Sequence, residues 1–119
     1  MLEKNEIVTG FTVGDRSYEM IPICRDGEKH VTFGTIRMRA REIQVSLGDD
    51  DGRYLLDKQH LIPVLKDKPI FVFTEWFGHE VSIGGIACIS EHAGRWNVYF
   101  NRNRDNVWNN QHYFLRRKK

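Results

Sequence analysis

The stretch TIRMRAREIQVSL, from Thr35 to Leu47, decides the fold because it fits both a strand and a helix. As far as Arg41, apolar residues alternate with arginines, which is typical of a strand. The alternation stops there, but apolar residues continue at helical spacing. They are Ile36, Ala40, Ile43 and Leu47. Thr35 is suited to cap such a helix, and Gly48 is suited to end it in a left-handed turn. The pattern therefore predicts a helix over residues 35–47.

A second helix is predicted directly afterwards. The acidic run Asp49–Asp51 suits a helix start, since carboxylates accept hydrogen bonds from free amides and face the positive end of the helix dipole. This helix would cover residues 51–61 and end before Pro63. The acidic run also resembles the start of a calcium loop. Arg53 and His60, however, occupy positions where that loop needs oxygen ligands, so no calcium site is predicted.

The rest of the chain has the alternation and turn residues of strands. A hairpin is predicted over residues 6–24, with a turn at Gly14-Asp15. Every residue of Ile70–Phe73 is apolar, including those that would point to either face of a sheet, which indicates a central strand covered on both faces. The further predicted strands are 80–90, interrupted by Gly84-Gly85, then 95–101 after a turn at Ala93-Gly94, and 112–117. We expect an α+β fold: an antiparallel sheet of about six strands, with the two helices inserted after the hairpin and packed on one face.

Composition limits the class of protein. The chain has 119 residues, 40% of them hydrophobic, and a net charge of +2, which predicts one globular domain over residues 1–119. No apolar run is long enough to span a membrane, and no signal-like segment opens the sequence. Cys24 and Cys88 lie in apolar, strand-like segments and are interpreted as reduced thiols in the core. A cytoplasmic protein without membrane contact is expected. No cofactor or metal site is predicted, because no pair of cysteines or histidines has metal-binding spacing.

Positive charge and aromatic rings collect near the end of the sequence. Residues 102–119 contain six basic side chains and one acidic side chain. Basic groups that alternate with rings suit single-stranded nucleic acid, while Trp, Tyr and Arg also dominate protein interfaces. We therefore predict a binding module whose C-terminal hairpin, from Tyr99 to Arg117, contacts nucleic acid or a protein partner. The predicted binding residues are Tyr99, Arg102, Arg104, Trp108, His112, Arg116 and Arg117. A merely solvated basic end is the simpler alternative.

Two other functions stay open from the sequence. His79 and His92, with Glu75 and Glu80 near them in the chain, could act as acid and base in a small RNase-like hydrolase. Trp108, in an asparagine-rich loop, either covers a sheet edge or stacks on a sugar, as in a carbohydrate-binding module. The sequence does not identify a small-molecule ligand.

A second basic cluster lies on the first predicted helix. Arg37 and Arg41 are four residues apart and share a helix face, whereas Arg39 points elsewhere. We expect this cluster to be a solvated helix face.

Overall fold

The structure is a computed structural model that describes residues 10–45, 47–65, 67–76, 86–101 and 108–118. Eight strands and two α-helices are present in this part of the chain. The strands are β1 (Gly10–Val13), β2 (Arg16–Pro22), β3 (His30–Val31), β4 (Ile70–Phe73), β5 (Ile86–His92), β6 (Arg95–Asn101), β7 (Trp108–Asn109) and β8 (His112–Arg117). The helices are α1 (Phe33–Glu42), α2 (Asp49–Asp57) and a 3-10 turn (Gln59–Leu61). The predicted α+β class is confirmed, and both helices follow the opening hairpin. Within the described residues, no helix is long and apolar enough to cross a membrane.

Six strands form one mostly antiparallel sheet in the order β1-β2-β8-β4-β5-β6. The last strand, β8, lies between β2 and β4; it is antiparallel to β2 and parallel to β4. Strand β6 pairs with β5 and forms one edge of the sheet. It therefore lies three strands from β8, at a distance of about 14 Å. The predicted C-terminal hairpin is not formed, because β5 rather than β8 takes the place beside β6.

The two α-helices pack against opposite faces of the sheet, not against the single face that we expected. Leu55 of α2 packs in one apolar cluster with Phe71, and Ile36 of α1 packs in the other with Val72. Consecutive residues of a strand point to opposite faces. Since Phe71 and Val72 are both buried, β4 needs cover on both sides, and one helix supplies each.

Helix α1 begins and ends earlier than predicted. Its N-cap is Thr32, whose hydroxyl accepts a hydrogen bond from the Thr35 amide at 3.2 Å. After α1 the chain turns at Gln44, which has a φ of 59° and takes the left-handed role predicted for Gly48. Gly48 instead forms a parallel bridge with Glu75, and a Cβ at Gly48 would lie 2.7 Å from the Glu75 carbonyl oxygen. The earlier turn brings the α1–α2 connection against the end of β4.

Helix α2 starts within the acidic run, as predicted, but one carboxylate has a different role. The N-cap is Gly48, which makes no side-chain cap bond. Asp51 is only 6% exposed and accepts hydrogen bonds from the Tyr18 hydroxyl at 2.7 Å and from Nη1 of Arg16 and Arg117, both at 3.1 Å. This carboxylate therefore fastens α2 to β2 and β8.

The segment after β6 contains a short strand that the sequence did not predict. Strand β7 pairs with β3, and the register places Trp108 opposite Val31. Trp108 is fully buried, and its ring meets that of Phe33 edge-on at 6.2 Å. The sequence left open whether Trp108 covers a sheet edge or stacks on a sugar, and its burial fits the covering role.

The two cysteines are free thiols in the structure. Cys88 is fully buried, as expected, and burial raises its pKa to about 12. Cys24 is only half-buried, because it follows β2 at the end of the sheet.

Candidate functional site

The predicted binding residues do not form one surface. Arg116 and Arg117 are neighbours in β8, so their side chains leave on opposite faces of the sheet. Nε of Arg116 lies 3.0 Å from Oε1 of Glu19, and Nη1 of Arg117 lies 3.1 Å from Oδ1 of Asp51. Both guanidinium groups are thus paired with carboxylates of the protein itself. The predicted binding residues Arg102 and Arg104 lie outside the described residues.

Two further predicted binding residues are part of the core. The rings of Trp108 and His112 are 5.2 Å apart, and His112 is only 5% exposed. The Asn109 amide donates a hydrogen bond to Nδ1 of His112 at 3.2 Å. Burial lowers the pKa of His112, which favours the neutral ring. Neither ring is placed to stack on a base or a sugar.

The described residues of the predicted hydrolytic site, Glu75 and His92, do not lie close together. Glu75 follows β4 and His92 ends β5, and both are exposed. The register pairs Phe73 with Ala87, so Glu75 and His92 lie at opposite ends of the β4–β5 pair. A distance of seven strand residues separates them along the strand direction, which is about 23 Å. The other two members of the group, His79 and Glu80, lie outside the described residues, as does Gly84-Gly85. In the described part of the chain, no group of three His, Cys, Asp or Glu residues could hold a metal ion.

A polar groove of about 620 Å³ lies beside the loop that follows β2. Nε2 of Gln111 donates hydrogen bonds to the carbonyl oxygens of Asp67 and Lys68, at 3.3 and 3.0 Å, and thereby holds two successive residues of positive φ. The groove also exposes Cys24. Burial raises the pKa of this thiol, so it is a poor nucleophile. Groups of both charge signs line the groove, and they favour no single ligand chemistry.

The remaining candidate is the free side of β6, which we call the β6 edge (residues 95–101). The β5–β6 hairpin turns through Ala93 and Gly94, with φ values of 55° and 79°. Positive φ at both residues is typical of the two-residue turn that matches the twist of a hairpin. Beyond the turn, β5 and β6 stay in register from the pair His92–Arg95 to the pair Ile86–Asn101.

The backbone amide and carbonyl of Trp96 point away from β5, and both form hydrogen bonds with the side chain of Gln59. The Trp96 amide donates to Oε1 of Gln59 at 2.9 Å, and Nε2 of Gln59 donates to the Trp96 carbonyl at 3.1 Å. The Gln59 amide thus imitates one residue of a neighbouring strand. In an antiparallel pair, outward-pointing backbone groups recur at every second residue. The backbone amides and carbonyls of Val98 and Phe100 therefore also point outward, and no hydrogen bond joins them to another described residue.

Apart from Arg95, the side chains of the β6 edge are neutral. Val98 and Phe100 pack partly into the cluster on the α2 side, while Asn97 and Tyr99 lie on the other face. Tyr99 remains 39% exposed beside Cys88, and burial of the rest raises its pKa to about 12. Natural edge strands are usually protected by lysines, prolines, bulges or a covering segment. Between Trp96 and Asn101, β6 has no charged residue and no proline, so these two protections are missing from that part of the strand.

Sequence reasoning selected Tyr99 but missed the rest of the site. The turn at Ala93-Gly94 and the alternation after it locate the strand and even fix which amides point outward. That β6 lies at the edge depends on β8 pairing elsewhere, which no local pattern shows. The role of Gln59 depends on the packing of α2 and has no sequence signal.

No family model matches the chain, and no curated protein or solved structure matches it. Its function is therefore inferred from the geometry of the site.

Proposed function

We propose that this protein is a binding module that captures an extended segment of a partner protein as an additional strand on the β6 edge. The observation that carries the proposal is the pair of outward-facing backbone positions at Val98 and Phe100. They continue a row whose first member, Trp96, is already bonded by the Gln59 amide. An added strand would extend that row with backbone hydrogen bonds of the same kind.

Affinity and selectivity would come from different parts of this edge. Backbone hydrogen bonds at Val98 and Phe100 would provide affinity for any extended segment. The exposed Tyr99 ring, on the face opposite α2, would contact alternate side chains of the incoming strand. Because β6 carries no charge from Trp96 to Asn101, we expect the preferred segments to be β-prone and to have few charges. This activity is binding rather than catalysis.

A protein partner is favoured over nucleic acid by the state of the basic residues. Arg116 and Arg117 already bind Glu19 and Asp51, and the Trp108 ring is buried. A single-stranded nucleic acid needs free cations beside exposed rings. The carbohydrate alternative likewise depends on an exposed Trp108 ring.

The test is a screen of immobilised extended peptides, followed by affinity measurement on the best binder. Val98→Pro is the decisive variant. It removes an outward amide but leaves the β5–β6 ladder intact, and proline is tolerated on the free side of an edge strand. We expect affinity to fall about tenfold, since a hydrogen bond is lost and the ring crowds the incoming strand. Tyr99→Ala should also weaken binding.

Gln59→Ala serves as the matched variant with the opposite expectation. It frees the backbone amide and carbonyl of Trp96, so that the incoming strand could pair with Trp96 as well as with Val98 and Phe100. Peptide affinity should therefore stay equal or rise. Thermal melting must show that each variant is folded. Peptide affinity unchanged by Val98→Pro would refute the proposal. Oligonucleotide binding that survives Val98→Pro but is lost in the double variant Arg116→Ala and Arg117→Ala would favour the nucleic-acid function instead.

A further inference from the structure

A second site is indicated by a small cleft between α1 and the end of β4, which we call the α1 cleft. It has a volume of about 100 Å³. The side chains that matter for its chemistry are Arg37 and Arg41 of α1, Gln44 after it, and Thr74 and Glu75 after β4. Four of these five residues can donate hydrogen bonds from their side chains.

Arg37 and Arg41 supply two positive charges without a carboxylate partner in the described structure. They lie one helical turn apart, where like charges repel. The guanidinium of Arg37 lies over the Phe33 ring, 5.0 Å from its centre, which limits its range of directions. Other arginines nearby behave differently, since Arg25 binds Glu42 at 2.7 Å.

Thr74 places a hydroxyl at the same cleft. The residue is 7% exposed, and the alternation of β4 directs its side chain to the α1 side with Val72. No hydrogen bond joins the Thr74 hydroxyl to another described residue. The hydroxyl is therefore available to donate to a ligand oxygen in the cleft.

Gln44 has a backbone conformation that its residue type does not favour. Its φ is 59°, at a position after a helix where glycine or asparagine is usual. The strained turn brings the Gln44 side chain to the same cleft as the two arginines.

We propose that the α1 cleft binds a single phosphate group carried by a small ligand or present as inorganic phosphate. Two guanidinium groups match the double negative charge, and Thr74 and Gln44 add neutral donors from another direction. A phosphate presents oxygens in several directions, whereas a carboxylate presents two in one plane. Of the residues above, only the Glu75 carboxylate opposes an anion. The site is separate from the β6 edge.

Calorimetric titration of the full chain with inorganic phosphate at low salt tests the proposal. We expect one phosphate per chain, with weaker binding as salt rises. Arg37→Gln and Arg41→Gln should each lower affinity about tenfold, since each loses a charge-assisted hydrogen bond. Thr74→Val should lower it about threefold. Glu75→Gln should raise affinity, because it removes the opposing charge.

Arg95→Gln is the matched control, since it removes an exposed arginine from the β5–β6 hairpin and should leave phosphate binding unchanged. Acetate should bind more weakly than phosphate. An oligonucleotide that ends in a 5′ phosphate should compete with inorganic phosphate, whereas the same strand with a free 5′ hydroxyl should not compete. Absence of phosphate binding, acetate binding as tight as phosphate binding, or an equal loss in Arg95→Gln would overturn the proposal.

Discussion

Replacement of Asp51 by alanine should destabilise the protein strongly, although the residue lies in an exposed-looking acidic run. The Asp51 carboxylate is 6% exposed and is the hydrogen-bond acceptor for the Tyr18 hydroxyl, whose residue is fully buried. Without it, the Tyr18 hydroxyl lacks this partner, which costs about 1–3 kcal/mol. Arg16 and Arg117 lose the same partner, but their side chains are 22% and 45% exposed and recover water. Their contribution is therefore small.

We expect Asp51→Ala to lower the free energy of unfolding by about 2–3 kcal/mol in total. For a chain of this size, that corresponds to a fall in Tm of about 10 °C. Urea unfolding followed by tryptophan fluorescence gives the first quantity, and calorimetry gives the second.

Asp50→Ala is the internal control. Asp50 adjoins the same two arginines, at 3.4 and 4.0 Å, but its side chain is 79% exposed. It shares the helix turn and therefore the dipole, so the two variants differ mainly in burial. Asp50→Ala should cost less than about 0.5 kcal/mol. Tyr18→Phe added to Asp51→Ala should cost little more, since it removes the orphaned hydroxyl. Equal costs for Asp50→Ala and Asp51→Ala would refute this reasoning.

Two further predictions concern packing and pH. A Cβ at Gly52 would overlap the Trp76 ring, so Gly52→Ala should destabilise the protein by about 1–3 kcal/mol in urea unfolding despite better helix propensity. Gly34→Ala, where a Cβ meets nothing within 4 Å, should instead be neutral or stabilising, and the reverse order would contradict this. Burial lowers the pKa of His112 from 6.5, so the unfolded chain binds more protons and stability should fall as pH drops below about 6.5. NMR titration should find the His112 midpoint below 6.5, and a midpoint at or above it would show that the ring is not buried.

Local patterns predicted the elements well, because each depends on neighbouring residues. The double-sided apolar pattern of β4, the turn at Ala93-Gly94 and the alternation of β6 were all visible in the sequence and are confirmed. The helix ends were less accurate. Gln44 turns the chain four residues before Gly48, since packing of the α1–α2 connection against Glu75 outweighs the intrinsic preference for glycine.

Long-range pairing could not be predicted in the same way. The position of β8 between β2 and β4 joins residues far apart in the chain, and many pairings of apolar strands have similar local energies. The burial of Trp108 follows from its pairing with Val31, which is also far away in the sequence. The placement of helices on opposite faces, however, was available from the sequence. A strand that is apolar on both parities cannot leave one face uncovered.

The basic end of the chain shows how strand geometry limits what a charged sequence can do. Adjacent residues in a strand point to opposite faces, so the pair Arg116-Arg117 cannot form one cationic patch once it belongs to β8. The cross-strand neighbour of Arg116 is Glu19, and on the other face Arg117 reaches Asp51. Arg116 and Arg117 therefore serve to fasten β8 to β2 and α2. Two positive charges without a carboxylate partner among the described residues lie instead at Arg37 and Arg41, one helical turn apart on the same side of α1. Spacing by secondary structure, rather than the density of charge along the sequence, decides which cations can act together on a ligand.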